Sequence, residues 1–330
     1  MAPVYRMEGR RALLLGGLGF IGSNLAHRLV GLGARVTLYD ACLDPCGWNF
    51  RNLEGIRGRV RFVKGDARDR SRVERAVKGQ EFVFNLFAQM GHGISMKEPL
   101  LDLDINARGN LTVLEACRRV NDDAVVVYAG TRAQMGEPRR VPVTEAHPQE
   151  PAEIYGIHKL AAEKYHLLYH KVHGMRTTSL RIGNTYGPRH QMRHAHWGVL
   201  NWFIRRAMLG EPIELHGDGR QARDFLYVDD VVEALVRLAR CERARGEAFL
   251  IGSRDAVPLR TVAEKVVRAV GRGSLRRVPY PPGRKEIEIR RFAASTAKLK
   301  RCTGWVQSTG LDEGIGRTVE FYRENLRYYL

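Results

Sequence analysis

Leu13-Leu14-Leu15-Gly16-Gly17-Leu18-Gly19-Phe20-Ile21-Gly22 is the stretch that decides the fold. Arg11 to Leu15 is a short apolar run, which reads as a buried parallel strand. It passes straight into Gly-x-x-Gly-x-x-Gly and then into an amphipathic helical pattern to about Leu32. Gly16 permits a tight turn, Gly19 lets a pyrophosphate approach the backbone, and Gly22 lets the helix pack closely on the sheet. The anion would then sit on the helix N-terminus. The triplet alone is a weak signal, but strand, triplet and helix in this order are a specific one.

Working outward, Arg35 to Tyr39 reads as a second strand that ends at Asp40. An acid about 20 residues after such a turn can bond the ribose hydroxyls of NAD, and its charge disfavours a 2′-phosphate. Further strands are expected at Val60–Val63, Phe82–Phe87, Ala124–Ala129 and Arg176–Ile182, with a long helical stretch over Pro99–Val120. This alternation predicts an α/β fold with a doubly wound parallel sheet and ligands at the carboxyl ends of its strands. After Ile182 the rhythm changes to turns, short strands and shorter helices, including a helix over Trp197–Leu209 and one capped by Asp229. The expected division is 1–183 as the dinucleotide domain, with 224–254 returning to it. A smaller C-terminal α/β substrate lobe would comprise 184–223 and 255–330.

Thr131 stands at the end of the fifth strand, and Tyr155 and Lys159 lie four apart in a helical segment running to about His173. Residues four apart share a helix face. A lysine ammonium there should favour the phenolate and hold Tyr155 below the usual tyrosine value near 10. Such a group could take a proton from an alcohol.

The chain has 330 residues and a formal net charge of +18, with 44 arginines among its 54 cations. These are spread along the sequence, with no legible nucleic-acid module, so an anionic small molecule is the expected partner rather than nucleic acid. No apolar run reaches membrane-spanning length, and Met1–Arg10 has no signal-like apolar core. The five scattered cysteines show no disulfide or zinc pattern, which points to a reducing cytoplasm. His190, His194 and His196 could ligate a metal by spacing, but no acid or cysteine stands beside them, and no metal is expected. A loop with Arg189 and Arg193 facing that anionic small molecule fits them better. Cys42 and Cys46 are read as free thiols near the adenine pocket.

Together, Gly16-Gly17-x-Gly19-Phe20-Ile21-Gly22, Asp40, Gly65-Asp66, Tyr155-x-x-x-Lys159, Arg181-x-x-Asn184-x-Tyr186-Gly187-Pro188 and Arg223-Asp224-Phe225-x-Tyr227-Val228-x-Asp230 occur in one order. In that order they resemble the extended short-chain dehydrogenase/reductases of the nucleotide-sugar epimerase/dehydratase branch, with a Rossmann sheet, to about Trp305. The resemblance implies NAD as cofactor, held by Gly16, Gly19, Phe20, Ile21, Gly22, Asp40, Asp66, Ala67, Ala88 and Asn106 together with Tyr155 and Lys159. It implies Thr131, Tyr155 and Lys159 as the catalytic group. It implies Asn184, Val199, Leu200, His216, Arg223 and Arg284 as contacts to a nucleotide-diphosphate sugar. A homodimer through the helices near Leu101–Val120 and Glu153–His173 is implied as well. The 4,6-dehydratases of this family carry an Asp-Glu pair after the threonine, where this chain has Arg132 and Ala133. The expected activity is therefore epimerisation at C4 of a UDP-hexose or UDP-uronic acid. The alternatives are a dehydratase or oxidoreductase of the same fold, and a non-catalytic dinucleotide- or RNA-binding protein. Met135, in a usual tyrosine position, together with Phe87 and Met90, is expected to give the sugar pocket an unusual lining.

Overall fold

A computed structural model describes residues 7–44, 46–194, 198–253, 255–280 and 289–330. Its strands are β1 (Arg11–Leu15), β2 (Arg35–Asp40), β3 (Val60–Lys64), β4 (Phe82–Asn85), β5 (Val125–Thr131), β6 (Arg176–Ile182), β7 (Asn184–Tyr186), β8 (Pro212–His216), β9 (Ala222–Tyr227), β10 (Ala248–Ile251), β11 (Ala256–Pro258) and β12 (Ser274–Val278). Its helices are α1 (Phe20–Gly31), α2 (Arg70–Val77), α3 (His92–Lys97), α4 (Pro99–Asp102), α5 (Gly109–Val120), α6 (Ile154–His173), α7 (Val199–Met208), α8 (Val228–Arg240), α9 (Leu259–Val270), α10 (Ala297–Thr303) and α11 (Leu311–Asn325). None is long and apolar enough to cross a membrane.

Seven parallel strands form the main sheet in the order β10-β6-β5-β4-β1-β2-β3. Ala12 to Leu15 are fully buried because helices cover both faces, which is why β1 reads as an unbroken apolar run. One apolar layer lies between the sheet and α1 and α8; the other, containing Val113, Leu114 and Cys117, lies under α5. The chain winds outward from β1 in both directions, so a crevice opens at the carboxyl ends of β1 and β4. Glu247–Ile251, expected near the main sheet, contributes β10 beside β6.

Several boundaries differ from expectation. β4 stops at Asn85, whose side-chain amide donates to the buried Asn110. The stretch Pro99–Val120 is not one continuous helix: residues Leu103–Arg108 form a wider π-turn between α4 and α5. α8 starts after Tyr227, and Asp229 lies in its first turn, bonded to Arg317, rather than capping it. Beyond β6, a three-stranded sheet β11-β9-β7 and a pair β12-β8 pack with α7, α9 and α11 around a separate apolar cluster.

Candidate active site

The glycine turn is a cradle whose shape depends on missing side chains. Gly16 has φ +79 and is tied to the β2 end, its N–H donating to Tyr39 O at 2.8 Å. A Cβ on Gly22 would lie 2.2 Å from Gly16 O, whereas one on Gly19 would meet only Gly16 O, at 3.4 Å. Gly22 is thus closed by protein, and Gly19 borders open cleft. Beside it, Asp40 accepts from Leu18 N (3.0 Å) on one oxygen and from Cys42 N (2.9 Å) on the other. Each oxygen keeps a second lone pair for a ribose hydroxyl. Burial pushes the Asp40 carboxyl above its ordinary range, and these two amide bonds oppose that rise. Asp66 is held by Arg68 through Nε at 2.9 Å, and that contact keeps its carboxyl low. Phe20, Ile21, Ala67 and Ala88 join these groups in the wall of one continuous cleft. Asn106 does not. It is fully buried on the π-turn and clamps the backbone of Gln89, giving Nδ2 to Gln89 O (2.9 Å) and accepting from Gln89 N (3.1 Å). An open anion cradle, a carboxylate with spare lone pairs and a flat apolar wall fit a dinucleotide.

The same cleft is lined by Thr131, Tyr155 and Lys159. Thr131 ends β5 and closes a capping box with the helical turn Arg132–Met135: Oγ1 accepts from Ala133 N (3.2 Å), and Gln134 Oε1 accepts from Thr131 N (2.7 Å). Its hydroxyl also hydrogen-bonds the Tyr155 phenol. Tyr155 and Lys159 come from the first turns of α6, which packs on β5 and β6. Lys159 is 2% exposed and donates from Nζ to Ala129 O at 2.7 Å.

The expected acidified phenol is not found. Burial drives the Tyr155 value upward, and only the Thr131 bond opposes it strongly. Burial instead depresses Lys159, from 10.5 to about 7, with Asp102 and Glu163 pulling it back up. The reason is that both side chains are buried, and burial disfavours the charged form of each. Behind them, buried Glu163 would rise through desolvation but is held low by Arg181 (2.7 Å), Gln149 and Ser179. This network pins α6 to β6.

At the far end of the cleft stand Asn184, Val199 and Leu200. Asn184 is already engaged: Oδ1 accepts from Arg132 Nε (3.2 Å), and Nδ2 faces Asp224 Oδ1 (3.3 Å). Arg132 lines the cleft and lies over the Phe292 ring, 5.5 Å from its centroid. Asp224, which sequence reasoning passed over in favour of its neighbour Arg223, is fully buried and accepts from Ala294 N at 2.9 Å. Burial raises its carboxyl to about 7. A lone acid in the fully buried strand Ala222–Tyr227 was the available signal. Arg223 itself is buried in β9 with a guanidinium bond to Ala222 O, away from the cleft wall, and His216 stands off it beside Tyr280. Arg284 and His196 lie outside the described residues.

Two further expectations change. Arg189 turns from the cleft to Asn24 Oδ1 (2.9 Å) and the Phe321 ring, and Arg193 is exposed on a turn closed by Gln191. Met135 is fully buried against Val143, Leu250 and Phe292, so it does not line the pocket, whereas Phe87 and Met90 do. Cys46 lines the cleft, and burial raises the Cys42 and Cys46 thiols to about 11. Among the described residues no group of three or more His, Cys, Asp or Glu side chains could hold a metal.

Residues 12–252 match the model of the NAD dependent epimerase/dehydratase family. The chain is 31% identical to a UDP-glucose 4-epimerase of Mycolicibacterium smegmatis, over 95% of this chain and 98% of that protein. It is 30% identical to a probable UDP-glucuronate 4-epimerase of Rhizobium meliloti, over 96% and 98% respectively. The solved UDP-glucose 4-epimerase of Thermus thermophilus, in complex with NAD, superposes with a TM-score of 0.83 at 32% identity, covering 95% of this chain and 99% of that one.

Proposed function

Because this chain belongs to the NAD dependent epimerase/dehydratase family, we propose that it epimerises C4 of a UDP-hexose or UDP-uronic acid through a transient 4-keto sugar. The observation that carries this reading is the convergence of Thr131, Tyr155 and Lys159 on the cleft that begins at the Gly16–Gly22 cradle. NAD, when bound, accepts and returns the hydride. The glycine turn and α1 would hold its pyrophosphate, Asp40 its adenosine ribose, and Asp66 and Ala67 its adenine. Ala88 and Lys159 would hold its nicotinamide riboside end.

Thr131 orients the sugar hydroxyl, and Tyr155 takes its proton. A phenol held up by burial stays protonated and cannot accept a proton until positive charge facing it favours the phenolate, so proton removal is coupled to the loaded site. The keto sugar then turns in the pocket and its other face is reduced, with Tyr155 giving the proton back. Asn184, Val199 and Leu200 hold the nucleotide side of the substrate, Asn184 acting from a position fixed by Arg132 and Asp224. A dehydratase would need an acid and a base beside C5 and C6, and Arg132 and Ala133 supply neither.

The same reading places the enzyme in the cytoplasm as a homodimer. Support for the dimer comes from apolar side chains left in water: Leu100 (76% exposed) in α4, and Ile157, Leu168 and Val172 on one face of α6. The test is incubation with a panel of nucleotide sugars in heavy water. Interconversion at C4 without deuterium at any carbon is expected. Deuterium at C3 or C5, or loss of water, would replace this reading with another reaction of the family.

A further inference from the structure

Among the described residues no carboxylate bonds the ammonium of the buried Lys159, an arrangement that ordinarily expels the charge. Its surroundings are specific. Nζ donates to the Ala129 carbonyl and lies 4.4 Å from the centroid of the Tyr128 ring. The hydroxyl of the same tyrosine donates to the backbone carbonyl of Lys159 at 3.1 Å. Tyr128 therefore grips Lys159 at both ends, ring under the ammonium and hydroxyl on the peptide. The ring's other neighbour is His166, stacked at 4.5 Å between centroids and 20° between planes.

His166 is itself fixed. Nδ1 donates to Ala162 O at 2.8 Å, which leaves Nε2 as the acceptor facing Asn85 Nδ2 at 3.4 Å. Burial holds its ring well below the usual range, at about 4, so the imidazole is neutral and brings no like charge near Lys159. Among the described residues, the charged and titratable groups around the ammonium are Tyr128 of β5, Asp102 of α4, which bonds His158, and Glu163 and His166 of α6, with Tyr155 one helical turn before it; Glu163 is paired to Arg181 of β6. Asp102 and Glu163 act at a distance, and the contacts made at the ammonium itself are the Ala129 carbonyl and the Tyr128 π face.

We propose that Tyr128, backed by the His166 stack, is a positioning residue that keeps Lys159 charged and aimed into the cleft by presenting a π face to its ammonium. A desolvated cation over an aromatic face is stabilised where an exposed one barely is. The effect on Lys159 can be read without turnover; its consequence for catalysis rests on the role given to Lys159 above.

The protein is labelled with 13C at lysine Cε and titrated from about pH 5 to pH 11, spanning both the buried and the ordinary lysine range. The signal of Lys159 is the one absent from Lys159→Gln. Tyr128→Phe keeps the ring and should leave the midpoint within about 0.3 units of the parent, the hydroxyl contact being to a backbone group. Phenylalanines of increasing ring fluorination at position 128 keep shape while weakening the π face. They should lower the midpoint stepwise, by about one unit for the trifluorinated ring. A midpoint that stays constant through the series overturns the proposal, whatever a ring-deleting variant does to folding. Turnover is followed in parallel, and its alkaline limb should move with the Lys159 midpoint. Absence of turnover with every nucleotide sugar in the parent protein would sink the epimerase reading, while the titration would still decide on Tyr128.

Discussion

Tyr155 and Lys159 show how little a residue pair says before its surroundings are known. Their spacing correctly places both on one face at the start of α6. It does not reveal that burial disfavours the charge on both. Tyr155→Phe removes the proposed proton acceptor but little volume; turnover should fall by roughly 10³-fold while NAD still binds. Steady-state rates beside a cofactor titration check this, and near-parental turnover would remove Tyr155 from the mechanism. Lys159 permits a stability prediction with a definite sign. Its folded value, about 7, lies below its ordinary 10.5, so the folded state binds fewer protons between those limits. The resulting penalty on folding is full below about pH 7 and fades as pH rises toward 10.5. Lys159→Met should therefore stabilise the cofactor-free protein at neutral pH, on the order of a few kcal/mol, while abolishing turnover. Thermal unfolding across pH should show the gap between the two proteins closing on the alkaline side.

At the scale of elements, the turn between β1 and α1 separates two uses of glycine. Gly22→Ala puts a Cβ 2.2 Å from Gly16 O, a backbone atom that cannot move without opening the turn. A loss of about 2–4 kcal/mol in a urea titration is expected. Gly19→Ala meets protein only at 3.4 Å, so the fold should survive and NAD affinity should drop instead. Equal loss of stability in both would refute the division of roles. These roles were legible in the sequence because strand, turn and helix are local, and local order fixes where backbone must approach backbone. The break inside Pro99–Val120 was not legible. Nothing in Leu103 to Arg108 forbids an ordinary helix; the π-turn accompanies Asn106 reaching the Gln89 backbone, a contact 17 residues away in sequence. Tyr128 was hidden for the same reason. In Val125-Val126-Val127-Tyr128-Ala129 it reads as core filler, and its contacts to Lys159 and His166 exist only once α6 lies on β5.

Across the whole molecule, the parts legible in advance are those set by periodicity, namely the central sheet and its crevice. The substrate end was less so, because it is assembled from segments far apart in sequence. Arg132, Asn184, Asp224 and Phe292 meet there, while Arg189, the more obvious ligand by its loop, is drawn off to Asn24. The exposed apolar side chains belong to this scale too, since no single helix explains them. Ile157, Leu168 and Val172 repeat at spacings of eleven and four, one stripe of α6, and α4 brings Leu100 to the same side of the fold, packed against α6. A stripe of this kind facing water costs about 25 cal/mol per Å² of apolar surface, and a twofold copy would cover it with its own equivalent. Leu100→Glu with Val172→Glu places charge in that contact without touching the cleft. Sedimentation should show the parent as a dimer and the double variant as a monomer that still binds NAD, because the cradle and Asp40 lie at the carboxyl ends of β1 and β2 and neither Leu100 nor Val172 lines the cleft there. A parent that sediments as a monomer at micromolar concentration would leave the apolar stripe to a different partner and defeat the dimer.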